Sequence, residues 1–261
     1  MKRFSSGSKS AVHHHRLSTS PLTGLSRLQA KPRRNSAMAD LRHVESWVFD
    51  LDNTLYPAQC DLFRQVDVRI GEYIANRFGI PFEQARWLQK SYFRGYGTTM
   101  KGLMTEYGID PVEFLDFVHH IDHSPVCSDP RLDAVLAALP GAKYVFTNAS
   151  VPHSEKVLER LGIAHRFDGI FDIVAPGFEP TPHDAFYDTF LARHGVEPKR
   201  AALFEDMARN LAPAHARGMT CVLVETDNSW SMEGHEGDHV HHRTRDLAGW
   251  LEAVLEARKA V

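Results

Sequence analysis

The sequence of 261 residues has few cysteines and no long apolar run. Its three cysteines, Cys60, Cys127 and Cys221, lie far apart and form no Cys-x-x-Cys pair. This spacing argues against a disulfide framework and a cysteine-based zinc site, and it favours a reducing compartment, so we expect a cytoplasmic protein. No apolar stretch approaches the roughly 20 residues that a membrane-spanning helix needs, so we expect no membrane partner.

The sequence also lacks a large excess of either charge. Its formal net charge is -3, and its composition, 43% hydrophobic and 24% charged, is near the average for soluble domains. Such a chain has no long-range attraction to nucleic acid or anionic lipid. We therefore expect a small-molecule enzyme or a neutral binding module, monomeric or homodimeric, without a nucleic-acid partner.

Acidic residues are absent from the first 37 positions, which carry eight Lys or Arg and many Ser. We predict that residues 1–40 form a disordered basic arm, because this composition cannot bury a core. A transit peptide or a nucleic-acid-binding tail has a similar composition. We favour the alternative that the native chain starts at Met38.

Five apolar runs alternate with helical patterns, which is typical of a parallel sheet with crossover helices. The runs are 47–49, 144–146, 170–174, 201–204 and 221–224, and helices are predicted around 129–139, 151–161, 184–194, 207–217 and 245–258. We predict a doubly wound, Rossmann-like α/β core of about five strands, formed by residues 41–56 and 128–261. The stretch 229–244 is predicted as a solvated loop, and metal binding by its histidines is a less favoured alternative.

About 90 residues separate the first two predicted strands, although a crossover needs only a dozen or so. Apolar residues spaced between Phe63 and Phe78 form one helical face. We predict an inserted helical cap over residues 57–127, placed as a lid where open α/β sheets bind ligands. His119, His120 and His123 are predicted to be solvated residues at the end of a cap helix.

Two acids, Asp50 and Asp52, follow the first predicted strand in the segment Asp-Leu-Asp-Asn-Thr-Leu-Tyr. Carboxylates two positions apart at a strand end that curls into a loop can converge on one cation. A calcium loop would instead require Gly and Glu where the chain has Leu55 and Asp61. A pair of Asx turns without function is the other alternative, disfavoured because buried acids without partners are costly.

This segment resembles the first motif of the haloacid dehalogenase superfamily, and the resemblance continues in order over residues 43–225. Thr147 and Asn148, after the second run, resemble the motif that binds phosphoryl oxygens. Glu205 and Asp206, after the fourth run, resemble the acidic motif of the magnesium site. Capping of the strand end is the alternative role for Thr147 and Asn148, and capping of the following helix is the alternative for Glu205 and Asp206. Within the superfamily, Asp-Asn-Thr-Leu-Tyr and residues 96–99 resemble the pyrimidine 5′-nucleotidase branch.

The resemblance implies a phosphatase that acts on a small phosphate monoester. Asp50 would be the nucleophile that forms an aspartyl-phosphate, and Asp52 the general acid and base, a residue that dehalogenases of the superfamily lack. Mg²⁺ would be held by Asp50, the main-chain oxygen of Asp52 and Asp206, while Thr147 and Asn148 would bind the substrate. A pyrimidine nucleoside 5′-monophosphate is the expected substrate, and a sugar phosphate or phosphoglycolate is the alternative.

One element of the family pattern is missing, because Thr181 stands where the third motif has a lysine. A cation there would offset repulsion between acids and phosphate, and two unit charges 4 Å apart interact by about 4 kcal/mol at an effective dielectric of 20. Three alternatives follow. Lys101 or His183 supplies the cation, the protein is a weak enzyme, or it binds phosphate without cleaving it.

Overall fold

A single parallel sheet organises the computed structural model, which describes residues 41–259. The predicted arm at residues 1–40 lies outside the described residues. The strands are β1 (Ser46–Phe49), β2 (Ala142–Phe146), β3 (Gly169–Phe171), β4 (Ala201–Glu205), β5 (Thr220–Val224) and β6 (His242–Thr244). Their order is β3-β2-β1-β4-β5-β6, and every pair is parallel. The winding reverses at β1, and ligands bind such sheets at the carboxyl ends of the strands beside the reversal.

The sheet has one strand more than the five predicted. β6 lies inside the stretch predicted as a loop, and it pairs with Val222–Val224 at the edge of the sheet. Its three residues, His-Arg-Thr, have no apolar alternation because they are only partly buried. β3 also ends earlier than predicted, at Phe171, because the Asp172 side chain accepts from the backbone N–H of Ala175 at 3.1 Å and starts a turn.

Nine helices are described within residues 41–259. Four lie between β1 and β2: α1 (Leu62–Phe78), α2 (Phe82–Tyr96), α3 (Thr99–Tyr107) and α4 (Pro111–Val118). Five follow: α5 (Pro130–Ala138), α6 (Val151–Leu161), α7 (Asp184–His194), α8 (Ala208–Ala216) and α9 (Leu247–Lys259). These five start and end within two residues of the predicted positions, because each contains apolar residues that become buried, although the apolar periodicity of α7 is weak.

The helices cover both faces of the sheet, as a doubly wound fold requires. Alternate strand residues point to opposite faces. Trp47 and Phe49 pack with apolar residues of α5, α6 and α9. Val48 packs in a second cluster with residues of α7 and α8. The predicted α/β core is therefore confirmed. No helix in residues 41–259 has both the length and the apolar character to span a membrane.

The inserted helices α1 to α4 pack on one another, and the assignment of residues 57–127 as a cap domain stays a prediction. In α1, Tyr73 and Ile74 turn inward, and the Tyr73 ring packs edge-on against Phe114 of α4 at 5.0 Å between centroids. Gly71 allows α1 to approach α2 closely, since a Cβ at this position would lie 2.8 Å from the ring of Phe82. The inner residues of the cap join the same apolar cluster as Val48, so cap and sheet share one packed interior.

Candidate active site

Three acids meet at the carboxyl ends of β1 and β4. Phe49 is in register with Phe204, and the N–H of Asp50 donates to the carbonyl of Phe204 at 2.9 Å. Glu205 ends β4 and Asp206 follows it, so adjacent parallel strands deliver the acids to one edge. One carboxylate oxygen from each of Asp50, Glu205 and Asp206 lies within 4.8 Å of the others. These residues are called the acid cluster below.

The acid cluster is buried and electrostatically unfavourable on its own. Burial raises the pKa of Asp50 well above its usual value, and the nearby charges of Glu205, Asp206 and Asp52 raise it further. Burial and the charge of Glu205 raise the pKa of Asp206 in the same way, and burial raises that of Glu205 to about 7. A cation bound among these oxygens would favour their ionised forms.

The donor chemistry of the acid cluster fits Mg²⁺. Mg²⁺ is a hard cation that binds oxygen ligands and is typically held by one or two carboxylates with water. Asp206 Oδ2 is buried and has no hydrogen-bond partner among the described residues, as expected for an oxygen that binds an ion. The side chain of Asp52 is outside this cluster, and its predicted main-chain contact with the metal stays a prediction.

Asp52 lies in different surroundings from Asp50. Its Oδ1 accepts a hydrogen bond from the hydroxyl of Tyr56 at 2.6 Å, and Nε2 of His153 lies 3.4 Å from the same oxygen. Burial alone would raise the pKa of Asp52, but the contact and charge of His153 and the bond from Tyr56 outweigh it and lower the pKa. The two predicted catalytic acids are thus shifted in opposite directions, which is the pattern of an acid–base pair with separate roles.

A histidine cluster adjoins Asp52, and sequence reasoning missed it. It consists of His119 and His123, which follow α4, and His153 in the first turn of α6. The rings of His119 and His153 stack at 4.4 Å, and Nε2 of His123 lies 3.2 Å from Nδ1 of His153. The prediction that His119 and His123 are solvated is wrong, whereas His120 is exposed. The position of His153 six residues after Thr147, in the helix leaving the strand end, was the available signal.

Thr147 and Asn148 follow β2 at the same edge of the sheet. Thr147 is buried, and its hydroxyl oxygen accepts from the N–H of Ala149 at 3.0 Å, which is the capping role considered above. Its hydroxyl hydrogen is not used in that bond and can be donated to a phosphoryl oxygen. Asn148 pairs with Thr181 twice: Nδ2 donates to the Thr181 hydroxyl at 2.6 Å, and the Thr181 N–H donates to Oδ1 at 2.9 Å.

The cations proposed to replace the missing lysine are already paired. Lys101 on α3 forms an ion pair with Glu179, and Nδ1 of His183 lies 3.6 Å from the same carboxylate. Thr181 itself is 3% exposed and offers a neutral hydroxyl. Glu179, in the loop before α7, therefore contacts both candidates, and its carboxylate offsets the charge of Lys101.

Arg209, in the first turn of α8, is a further cation at the boundary of cap and core. Its Nη2 donates to the carbonyl of Gly97 at 3.2 Å, and its guanidinium lies 4.4 Å from the ring centroid of Phe93. Its Nε is buried without a partner among the described residues. Burial lowers its pKa, while the charge of Glu205 opposes that shift, so Arg209 is electrostatically coupled to the acid cluster.

A family model described as haloacid dehalogenase-like hydrolase matches residues 47–218. The chain belongs to this hydrolase family. The predicted resemblance to the superfamily is thereby confirmed. The chain is also 28% identical over 226 residues to Phosphate metabolism protein 8 of Saccharomyces cerevisiae, an alignment that covers 80% of this chain and 70% of the yeast protein. Hydrolases of this family generally use Mg²⁺, in agreement with the donor set of the acid cluster.

Solved structures show the same fold. CbbY from Rhodobacter sphaeroides in complex with phosphate superposes with a TM-score of 0.56 at 16% identity, covering 80% of this chain and 99% of that one. The HAD-hydrolase YfnB from Bacillus subtilis bound to magnesium superposes with a TM-score of 0.52 at 14% identity, covering 81% and 98%. At these identities the likeness establishes the fold alone.

Proposed function

We propose that this protein is a Mg²⁺-dependent phosphatase that cleaves a small phosphate monoester through an aspartyl-phosphate on Asp50. The observation that carries the proposal is that Asp50 and Asp52, two positions apart, have different surroundings. Asp50 lies with Glu205 and Asp206 in a cluster suited to a cation, while Asp52 is held outside it by hydrogen-bond donors. Phosphoryl transfer needs a nucleophile beside a cation and a separate acid for the leaving group.

The chemistry divides into two steps. Asp50 attacks phosphorus, the bond to the leaving oxygen breaks, and Asp52 gives a proton to that oxygen. Water then attacks phosphorus, Asp52 takes a proton from it, and the acyl phosphate bond to Asp50 breaks. Asp50, Asp206 and the main-chain oxygen of Asp52 would hold Mg²⁺, which would supply positive charge to neutralise the phosphoryl group.

The lowered pKa of Asp52 suits these roles in sequence. As an ionised carboxylate it is ready to accept a proton from water in the second step. In the first step it must carry a proton, and the negative charge of a bound phosphate favours the protonated form because like charges raise a pKa. Tyr56 and His153 keep the side chain in place through both steps.

We propose pyrimidine nucleoside 5′-monophosphates as the leading substrate class. The motif after β1 and the cap segment 96–99 resemble that branch of the family. Aromatic side chains also gather beside Arg209: the ring of Trp230 lies 6.2 Å from Phe63 and 6.4 Å from Phe93 between centroids. Rings at the boundary of cap and core are suited to stacking on a base, and Arg209 adds a positive charge.

Binding of a phosphate compound without cleavage is the second candidate. The observation that favours it is Thr181, whose neutral hydroxyl and backbone N–H are both paired with Asn148 where the family has a lysine. A site without that cation stabilises the transition state less strongly.

The test is phosphate release from a panel of nucleotides and sugar phosphates, with and without Mg²⁺, by wild type and Asp50→Asn. We expect Mg²⁺-dependent release that Asp50→Asn abolishes, with the highest kcat/KM for pyrimidine nucleotides. Preference for a sugar phosphate would overturn the substrate class and keep the mechanism. No release from any ester, together with binding of the same compounds in calorimetry, would favour the second candidate.

A further inference from the structure

We propose that His153 is a positioning residue for Asp52. Together with Tyr56 it holds Asp52 Oδ1, so that Oδ2 is the oxygen that exchanges protons with the leaving group and with water. The inference rests on the proposed phosphatase function and deepens it, because it assigns a role to a side chain that no family motif used above includes.

Both contacts of the Asp52 carboxylate use the same oxygen. The hydroxyl of Tyr56 and Nε2 of His153 meet Oδ1 at 2.6 Å and 3.4 Å, and no residue in the range 41–259 donates to Oδ2. A carboxylate whose one oxygen is fixed by two donors has a defined plane, and its other oxygen has a defined direction. Tyr56 and His153 are each only 1% exposed, so neither can leave its position without opening the interior.

The His153 ring is itself held in place by neighbouring histidines. His119 stacks on it with an angle of 20° between the ring planes, and its Nδ1 lies 2.9 Å from the hydroxyl of Ser150. His123 meets His153 Nδ1 at 3.2 Å. When His123 Nε2 is the donor in this contact, the hydrogen of the neutral His153 ring is on Nε2, where it can be donated to Asp52. Residues 119–123, which follow α4, thus set the orientation of Asp52, the proposed general acid.

The polar partners of His153 are side chains rather than backbone groups. A histidine buried only for packing is usually satisfied by backbone groups or water. Instead, Nδ1 of His153 faces His123, and Nε2 faces Asp52, which carries protons in the proposed reaction. In that reaction His153 forms and breaks no bond. Asp52 Oδ2 loses its proton as the ester bond breaks and regains one as the acyl phosphate is hydrolysed.

The test compares leaving groups. Full-length wild type, His153→Ala, His153→Gln and Tyr56→Phe are assayed with Mg²⁺ on 4-nitrophenyl phosphate, whose leaving group needs no proton, and on an alkyl phosphate, whose leaving group does. We expect His153→Ala to lower kcat/KM for the alkyl ester by about 10- to 100-fold and for the aryl ester by less than about threefold, since general acid catalysis contributes about 10²–10⁴-fold. His153→Gln, which restores a donor, should recover part of the loss.

The control is His120→Ala, since His120 is exposed beside His119 and has no described contact with His153. It should match wild type on both esters. Equal losses on the two esters in the His153 variants, or no loss, would overturn the positioning role while leaving the phosphatase proposal intact. Absence of turnover by wild type would overturn both. If neither His153 variant folds, as judged by circular dichroism, Tyr56→Phe provides the test, because it removes the other donor to Asp52 Oδ1. We expect this variant also to lose more activity on the alkyl ester than on the aryl ester.

Discussion

The acid cluster and the histidine cluster lie on either side of one short loop, yet they act on their acids in opposite ways. Burial and the charges of the neighbouring carboxylates raise the pKa of Asp50. Asp52 faces Tyr56 and His153, which lower its pKa. The loop separates them because it leaves the strand at Asp50 and turns sharply, with Asn53 in the left-handed region at a φ of 62°. Two acids of one motif can therefore have different chemistry when the backbone turns between them.

The largest expected effect separates the two acids directly. Asp50→Asn should abolish turnover of every ester, by roughly 10⁴-fold or more, because it removes the nucleophile. Asp52→Asn should still form the phosphoenzyme from 4-nitrophenyl phosphate and then stall, since the second step lacks its base. Rapid-quench or stopped-flow kinetics would show a burst of one nitrophenolate per enzyme for Asp52→Asn. A burst from Asp50→Asn would contradict the assignment.

The next effect concerns Mg²⁺ and the acid cluster. At pH 8 without metal, Asp206→Asn should melt at the same or a higher temperature than wild type, because one of three repelling acids is removed. With Mg²⁺ at about 100 times its dissociation constant, the unfolding free energy of wild type should rise by about 2.7 kcal/mol. Wild type should then melt at a higher temperature than Asp206→Asn. Thermal unfolding by calorimetry measures both. An equal gain in the two proteins would place the ion elsewhere, and Asp168→Asn serves as a control outside the cluster.

Proton competition sharpens the same comparison. Glu205 has a pKa of about 7 in the metal-free protein, and those of Asp50 and Asp206 are also raised. Since a metal binds the ionised acids, protons compete with it and its affinity should fall as pH decreases from 8 to 6. We expect about a tenfold loss per pH unit below 7 for each proton displaced. Titration calorimetry in two buffers reports the affinity and the released protons. A constant affinity would contradict the raised pKa values.

The histidine cluster makes the folding stability depend on pH. Burial, together with the charge of His153, lowers the pKa of His119 to about 3. Below its unfolded pKa of about 6.5, the unfolded chain binds a proton that the folded protein excludes, so stability falls as pH decreases. Between pH 7 and pH 5 this amounts to at most about 2 kcal/mol. Urea unfolding should show a smaller decrease for His119→Gln than for wild type and His120→Gln, and parallel decreases would refute it.

The smallest expected effect compares the available cations. Lys101 is paired with Glu179, whereas the Nε of Arg209 has no described partner and its charge acts on Glu205. We expect Arg209→Met to reduce kcat/KM about tenfold, corresponding to about 1.4 kcal/mol, and Lys101→Met to reduce it by less. Steady-state assays with saturating Mg²⁺ measure both. A larger loss for Lys101→Met would identify that residue as the replacement for the missing lysine.

Sequence patterns predicted the core because its signals are local. Asp50, Thr147 and Glu205 each follow an apolar run directly, with Asn148 and Asp206 next along the chain, and parallel strands place such residues at one edge. β6 could not be predicted, because three polar residues on an edge strand have no alternation. The pairing of Asn148 with Thr181 and of His153 with His123 joins positions 33 and 30 residues apart. Those contacts depend on how residues 119–123 and the loop before α7 are placed beside the site, which no local pattern encodes.

The most direct test of the central claim is to trap the covalent intermediate. Asp52→Asn is mixed with 4-nitrophenyl phosphate and Mg²⁺, quenched in acid and reduced with borohydride, which converts an aspartyl-phosphate to homoserine. Peptide mass spectrometry then locates the modified residue. We expect homoserine at position 50 and no modification of Asp206. Modification at another residue, or none in a sample that has released nitrophenolate, would contradict it.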